Sequence, residues 1–343
     1  MRGLSARRPS RCRCSEQAGF AAADDELRTD VEPSTSTRIV LSPSRQAWRW
    51  RPIFRVSAVD IKTACLALIS YVTKPEYALG SDDTEIARLQ TQAAFLAEPT
   101  TLLLQRGGIR PGMRVLDLGS GPGDVAFQVA HMVGPDGSVL GVERDPAQLA
   151  VAMHRRDGFG FGNVDFRLGD ARTFLDEEPF DAVVCRLLLM HLPGVVDVLA
   201  HHLYSLRPGG VFIAVDYDVA GVRALPEVEL YSRLTTWIRA GFEFAHADVF
   251  VGMRFPLLFE QAGFGDVGTL GLQAYWPPRS SHAAAYLVGV VRALKDAIVN
   301  SGAATEEEIG LDTLEQRLGD ALTSANAVSS LPTVVGGWGR RPE

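Results

Sequence analysis

From Val115 to Asp124 the chain reads Val-Leu-Asp-Leu-Gly-Ser-Gly-Pro-Gly-Asp, an apolar run that ends in a glycine-rich turn flanked by acids. Glycines at 119, 121 and 123 let a backbone turn tightly and approach a ligand closely. A helix beginning near Asp124 would add free N–H donors at its N-terminus. The spacing is G-x-G-x-G, whereas a dinucleotide fingerprint is G-x-G-x-x-G. The third glycine of that fingerprint would fall on Asp124, and a second acid, Asp117, stands two residues before Gly119. Two carboxylates would repel a pyrophosphate, while a cationic amino group would be drawn to Asp117. The pattern therefore favours a zwitterionic sulfonium ligand over a dinucleotide.

Further acids and turns follow in a fixed order. Val139-Leu140-Gly141-Val142 runs into Glu143 and Arg144, and Leu168 is followed by Gly169, Asp170 and Ala171. Phe180-Asp181-Ala182-Val183-Val184 then opens an apolar run that ends at Arg186 and Leu187, and Leu206-Arg207-Pro208-Gly209-Gly210 precedes another. Over roughly residues 76–276 these segments resemble the class I methyltransferases that use S-adenosylmethionine. The resemblance implies that Asp117, Gly119, Ser120, Gly121 and Gly123 bind that cofactor. It places both ribose hydroxyls on Glu143, where a carboxylate can accept two hydrogen bonds. Arg144 would lie beside the adenine, and Asp170, between Gly169 and Ala171, would receive the adenine amino group. Arg186 and Leu187 would complete the cofactor site. Glu143 departs conservatively from the commoner Asp.

Upstream, Tyr77-Ala78-Leu79-Gly80 followed by Glu85, Arg88-Leu89 and Gln92 is similar to a segment of some bacterial small-molecule methyltransferases that folds over the cofactor. That likeness implies Tyr77 near the methionine end and Arg88 or Gln92 on its carboxylate. The plainer alternative is a core Tyr77 and a surface Arg88.

Transfer from a sulfonium is an in-line displacement, so the protein chiefly positions the acceptor and excludes water. A general base helps with a hydroxyl or protonated amine. His191 is the candidate, since Arg186–His191 leaves the fourth strand at the carboxyl edge, where open α/β sheets bind ligands; the alternative is a histidine that only packs or caps. His246 is a weaker rival, and His201 and His202 read as surface residues in mid-helix. A magnesium-assisted route would need an acid where Cys185 and Arg186 stand, and Asp216 with Asp218 makes at most two ligands, so no metal is expected. Tyr231, Trp237, Phe242, Phe244, Phe250 and Phe255 suggest an apolar lid, though at helical spacing any one of them is as well explained as core.

Strand-like runs at 114–118, 138–143, 164–168, 182–186 and 211–216 alternate with helical stretches near 124–133, 146–156 and 194–206. That alternation predicts βαβ units. Two further strands are expected at 267–276 and 333–338. The expected fold is α/β: a doubly wound, seven-stranded, mostly parallel sheet with helical lid additions at 226–246 and 281–325. Residues 82–106 read as helix, split by Pro99. The expected division is an extension over 1–57, a helical cap over 58–106 and the core over 107–343. The extension holds eleven Arg, no Lys and six acids, so its charge is +5 against −12 for the rest of a chain of 343 residues and net charge −7. Its composition suggests disorder rather than a signal or transit peptide.

Four scattered cysteines (12, 14, 65, 185) suggest reduced thiols in a cytoplasmic protein rather than zinc. Net acidity argues against nucleic acid, and no apolar run is long enough for a membrane span. The expected activity is metal-independent methyl transfer to O, N or C of a small organic molecule or secondary metabolite. A homodimer is left open. The alternatives are a homologue that binds the cofactor without transferring methyl, such as a sulfonium-assisted cyclase, and a protein or RNA methyltransferase.

Overall fold

The computed structural model describes the backbone of residues 83–343 and side chains from Phe95 on, Ser281 excepted. The 1–57 extension and Tyr77 lie outside the described residues. Arg88 and Gln92 fall on the first described helix, but their side chains lie outside the described part.

The first helix, α1 (Asp83–Gly107), runs on through Pro99 rather than splitting there. Proline removes one helical N–H, yet the helix keeps its course because it is packed on both sides of Pro99. Leu103 fills the space above Gly336, Ile213 presses on Gly107, and Gln128 donates to the Ala97 carbonyl. Then come β1 (Arg114–Leu118), α2 (Asp124–Val133), β2 (Ser138–Glu143), α3 (Pro146–Phe159), β3 (Val164–Leu168), β4 (Phe180–Arg186) and α4 (Val195–His202). The chain continues through β5 (Leu206–Asp218), β6 (Ala224–Leu225), α5 (Glu229–Phe244), α6 (Val251–Gln261), β7 (Gly265–Leu272) and β8 (Tyr275–Trp276). It finishes with α7 (Ser281–Ala293), α8 (Lys295–Asn300), α9 (Glu306–Ile309), α10 (Leu311–Ser324), β9 (Val328–Ser330) and β10 (Thr333–Arg340).

Seven strands form the main sheet in the order β3-β2-β1-β4-β5-β10-β7. The first five are parallel, and β10 runs antiparallel to both its neighbours. The expected doubly wound sheet is therefore present. Its central strands are covered on both faces, so they read as continuous apolar runs. Leu116, Val183 and Phe212 point into one core, and their neighbours Val115, Ala182 and Ile213 into the other.

The Leu206–Gly210 stretch, expected as a turn, is the start of β5, with a register shift opposite Phe180 and Ala182. Helix α6 was not foreseen. Its Phe255 and Phe259 lie in the sheet's core, Phe255 packing against Gly337 and Phe259 with Phe264 against Gly339. The expected lid helices exist as α5 and α7–α10. They enclose a second core with a small sheet, β6-β9-β8, at its side.

Candidate active site

The carboxyl ends of β3, β2, β1 and β4 lie side by side, and the glycine turn leaves β1 among them. Its three glycines have different tasks. A Cβ on Gly123, at φ 91°, would collide with Phe127 and Phe166, and one on Gly119, at φ 64°, with Leu188. A Cβ on Gly121, at φ 53°, would meet nothing within 4 Å. Gly121 is thus the glycine whose backbone faces open space.

Around the turn the acids are distributed unequally. Glu143 reaches across to the loop: Oε2 accepts from the Gly121 N–H at 2.9 Å, and Oε1 from the N–H groups of Arg144 (2.8 Å) and Asp145 (2.9 Å). Asp124 is held by Arg155 at 2.8 Å, and the same guanidinium donates to the Pro122 carbonyl. Its charge is therefore compensated, which removes half of the electrostatic case against a pyrophosphate. Asp117, the other acid, differs in kind, and its uncharged form is favoured until a cation arrives. It is 1 % exposed, and burial pushes its pKa up to about 8 against the opposing charge of Arg186. One oxygen accepts from the Ala126 N–H, serving a helix whose N-cap, Gly123, has no side chain; Oδ2 is buried without a partner. Such an orphan carboxylate oxygen beside an open glycine cradle suits a cationic amino group.

Just past β3 the Gly169 N–H donates to the Glu143 carbonyl, which brings Asp170 to the same edge. Its carboxylate is gripped by Arg172, which lowers its pKa to about 2. Ala171 is fixed from below by His202, whose Nε2 lies 2.7 Å from the Ala171 carbonyl and Nδ1 2.9 Å from Ser205 Oγ. His202 is fully buried, so its expected surface position is overturned: at the C-terminal turn of α4 it faces the core. Burial drives its pKa down to about 4.

Beyond β4 the chain makes a wall. Leu187, at φ 51°, donates its N–H to the Val215 carbonyl, and Leu188 leans on Gly119. A short 3₁₀ turn, Leu189–His191, follows. Buried Asp216 holds that turn, accepting from the Met190 N–H at 3.1 Å and also from Leu188 and Leu189. Burial raises the pKa of Asp216 to about 7. On the wall's far side lies a cavity of ≈ 320 Å³ between the sheet edge and helices α5 and α7, lined by Leu187, Met190 and His191 among others. The hydroxyls of Tyr217 and Tyr286 meet there at 2.9 Å. His191 is exposed, yet the surrounding protein and the charge of Arg144 lower its pKa below 6.5.

The structure thus brings the glycine turn, Glu143, Arg144, Asp170, Arg186, Leu187 and His191 to one edge. Arg186 turns toward α1, 3.3 Å from Thr100 Oγ1. Of the expected lid aromatics only Phe242 lines the cavity; Tyr231 and Trp237 are core, Phe244 is exposed, and Phe250 lies under Arg239. In the sequence Asp216 is weighed only, with Asp218, as a poor pair of metal ligands, and nothing there points to Arg155. An acid closing the apolar run Val211–Val215 was the available signal for Asp216. Among the described residues no three of His, Cys, Asp and Glu gather as a metal donor set, and no helix is long and apolar enough to cross a membrane.

Residues 109–247 match the family model described as "Methyltransferase domain". The chain is 40 % identical over 107 residues to an arsenite methyltransferase of Aquipseudomonas alcaligenes, covering 29 % of this chain and 31 % of that protein. It is 32 % identical over 127 residues to a ubiquinone/menaquinone biosynthesis C-methyltransferase of Ectopseudomonas mendocina, covering 36 % and 50 %. The chain therefore spans no more than half the length of these curated relatives. A phosphoethanolamine N-methyltransferase of Haemonchus contortus, solved with S-adenosyl-L-methionine, superposes with a TM-score of 0.43 at 19 % identity, over 71 % of this chain and 53 % of that one.

Proposed function

Starting from a class I, Rossmann-like methyltransferase domain over residues 109–247, we propose that the protein transfers a methyl group from S-adenosylmethionine to a small organic molecule held in the cavity beyond β4. One observation carries this: the glycine turn and the cavity share the wall 187–191, with Leu188 against Gly119 on one side and Leu187, Met190 and His191 on the other.

The cofactor supplies an electrophilic methyl on a good leaving group. The chain's own residues do the rest. Gly121 would let the cofactor approach the backbone, while Gly119 and Gly123, on either side of Ser120 and Gly121, fit the turn against Leu188, Phe127 and Phe166; Asp117 Oδ2 would accept from the cofactor's amino group. Glu143, with Arg144 beside it, takes the ribose end. Gly169, Asp170 and Ala171 shape the adenine end, where Asp170 shares its carboxylate with Arg172. Arg186 balances Asp117, and Leu187 closes the site. Burial and the charge of Arg144 favour the neutral form of His191, which can accept a proton from a hydroxyl or ammonium acceptor. The apolar cavity keeps water from the transfer.

Trivalent arsenic seeks thiolates, and Cys12, Cys14 and Cys65 lie outside the described residues. Among the described residues the one cysteine is Cys185, buried in the core with its thiol pKa raised by desolvation.

Calorimetry with S-adenosylhomocysteine, then transfer of labelled methyl to a panel of small aromatic and aliphatic acceptors, tests the assignment. Saturable binding followed by label in a small product is expected. Binding without transfer to any acceptor would point to a cofactor-binding homologue, and no binding would sink the assignment altogether.

A further inference from the structure

The cavity wall is aliphatic and aromatic over most of its extent, with Ile238, Phe242, Val249, Leu287 and Leu294 among its residues. Such a lining suits a molecule with a hydrophobic body. Near neutral pH two groups in it can carry charge, His191 and Arg239. His191 has its pKa lowered below 6.5, so at neutral pH the permanent charge among the described lining residues is the guanidinium of Arg239.

That guanidinium is placed but not neutralised. It lies over the Phe250 ring, 5.2 Å from the centroid. Glu243 and Asp248 line the adjoining depression with Arg239, yet none of the ion pairs among the described residues includes Arg239; Asp248 is taken by Arg254. A stacked, unpaired guanidinium keeps its in-plane N–H donors for a partner, and their fork matches planar anions.

Taking the cavity as the acceptor site, as proposed above, we infer that the acceptor is an apolar organic anion whose negative group docks on Arg239 while its hydrophobic body fills the cavity up to the 187–191 wall. The anionic group fixes which end enters, so the reacting atom belongs to the apolar end, next to the wall shared with the glycine turn. A neutral molecule of the same shape lacks that anchor.

Two probes of one aromatic skeleton test this: 8-anilinonaphthalene-1-sulfonate, an anion, and N-phenyl-1-naphthylamine, its neutral counterpart. Fluorescence titration of the full chain should show saturable binding of both, with the anion the tighter. Arg239→Gln should weaken the anion at least about tenfold, a charge-assisted hydrogen bond being lost, and leave the neutral probe within about twofold. Arg239→Lys should fall between. Leu287→Trp, which fills the cavity, should weaken both probes. Raising salt should weaken the anion alone in the unaltered chain, a measurement that needs no variant. Equal losses for both probes in Arg239→Gln, or no loss for either, would overturn the inference, as would anion binding indifferent to both salt and Arg239. Calorimetry with S-adenosylhomocysteine separates the two proposals. If the probes discriminate but the nucleoside does not bind, methyl transfer fails while the anion site stands. If the nucleoside binds equally to both chains and the probes do not discriminate, the reverse holds.

Discussion

Replacing Glu143 disturbs two things at once, because its carboxylate serves the loop as well as a ligand. In Glu143→Ala the N–H groups of Gly121, Arg144 and Asp145 lose their acceptor. A hydrogen bond to a charged group contributes about 1.5–3 kcal/mol. Arg144 and Asp145 are exposed, so water recovers most of their share, whereas the half-buried Gly121 amide recovers less. The net loss of stability should be about 2 kcal/mol, which in a domain of this size lowers Tm by roughly 4–8 °C. Cofactor affinity should fall at least about tenfold, from the lost acceptor and from a loosened Gly121. Glu143→Gln keeps one acceptor oxygen but turns an NH₂ toward donors, so it should recover part of the Tm and little of the affinity. Glu143→Asp draws the carboxylate back by about one C–C bond, ~1.5 Å, and cannot span both the loop and the 144–145 turn. It should not restore the parent, although Asp is the commoner acid at this place in the family the sequence resembles. Differential scanning calorimetry and titration with S-adenosylhomocysteine read both quantities. An Ala variant that melts and binds like the parent would refute the loop-tethering role, and an Asp variant equal to the parent would refute the argument from reach.

Binding of S-adenosylhomocysteine at pH 7 should release a fraction of a proton, because a cation beside Asp117 lowers a pKa that starts near 8; calorimetry in buffers of different ionisation enthalpy measures it, and Asp117→Asn should abolish it. His202, with a folded pKa near 4 against 6.5 unfolded, keeps its full contribution above pH 6.5 and loses it as pH falls toward 4, by about 3 kcal/mol in total. His202→Gln should therefore narrow its stability gap to the parent across that window, and parallel denaturation curves at pH 7 and pH 4.5 would exclude the effect. His191→Asn should leave affinity for S-adenosylhomocysteine unchanged but lower kcat about a hundredfold on hydroxyl or ammonium acceptors, together with the acid limb of the pH–rate profile; an unchanged profile would remove His191 from proton transfer.

The first five strands were legible because each is a short apolar run bounded by turn residues, and the glycine turn was legible because φ above zero demands glycine. The small sheet was not. Its strands are two or three residues long, and Ala224 pairs with Ser329 across more than a hundred positions. No local period announces such a pairing. His202 was misread for a similar reason: helix phase alone does not reveal that Ala171, on a distant loop, waits to accept from its ring. The acids of the glycine turn stand out in the sequence, but their electrical states were not legible. Whether Asp124 is bare depends on Arg155, one strand and one helix later in the chain, and the state of Asp117 depends on how much protein closes over it. The segment 187–191 stands out in sequence for Leu187 and His191, but its role as a wall does not, because an unbroken Leu-Leu-Leu-Met run looks like core and it takes buried Asp216 to hold its backbone in a turn.

The position of β10 bears on how the protein reaches its native state. That strand lies between β5 and β7, both of which precede it in the chain, and it is hydrogen-bonded to each over most of its length. Until residues 333–340 have been synthesised and have docked, β5 has an open edge and β7 has no neighbour in the main sheet. Leu103, Phe255 and Phe264 are then left without the glycine backbone at 336, 337 and 339 that they pack against. Closure of the core thus waits on contacts far apart in sequence, the kind that form slowly. A ribosome stalled before that point would carry a half-sheet with an apolar edge, a natural client for chaperones.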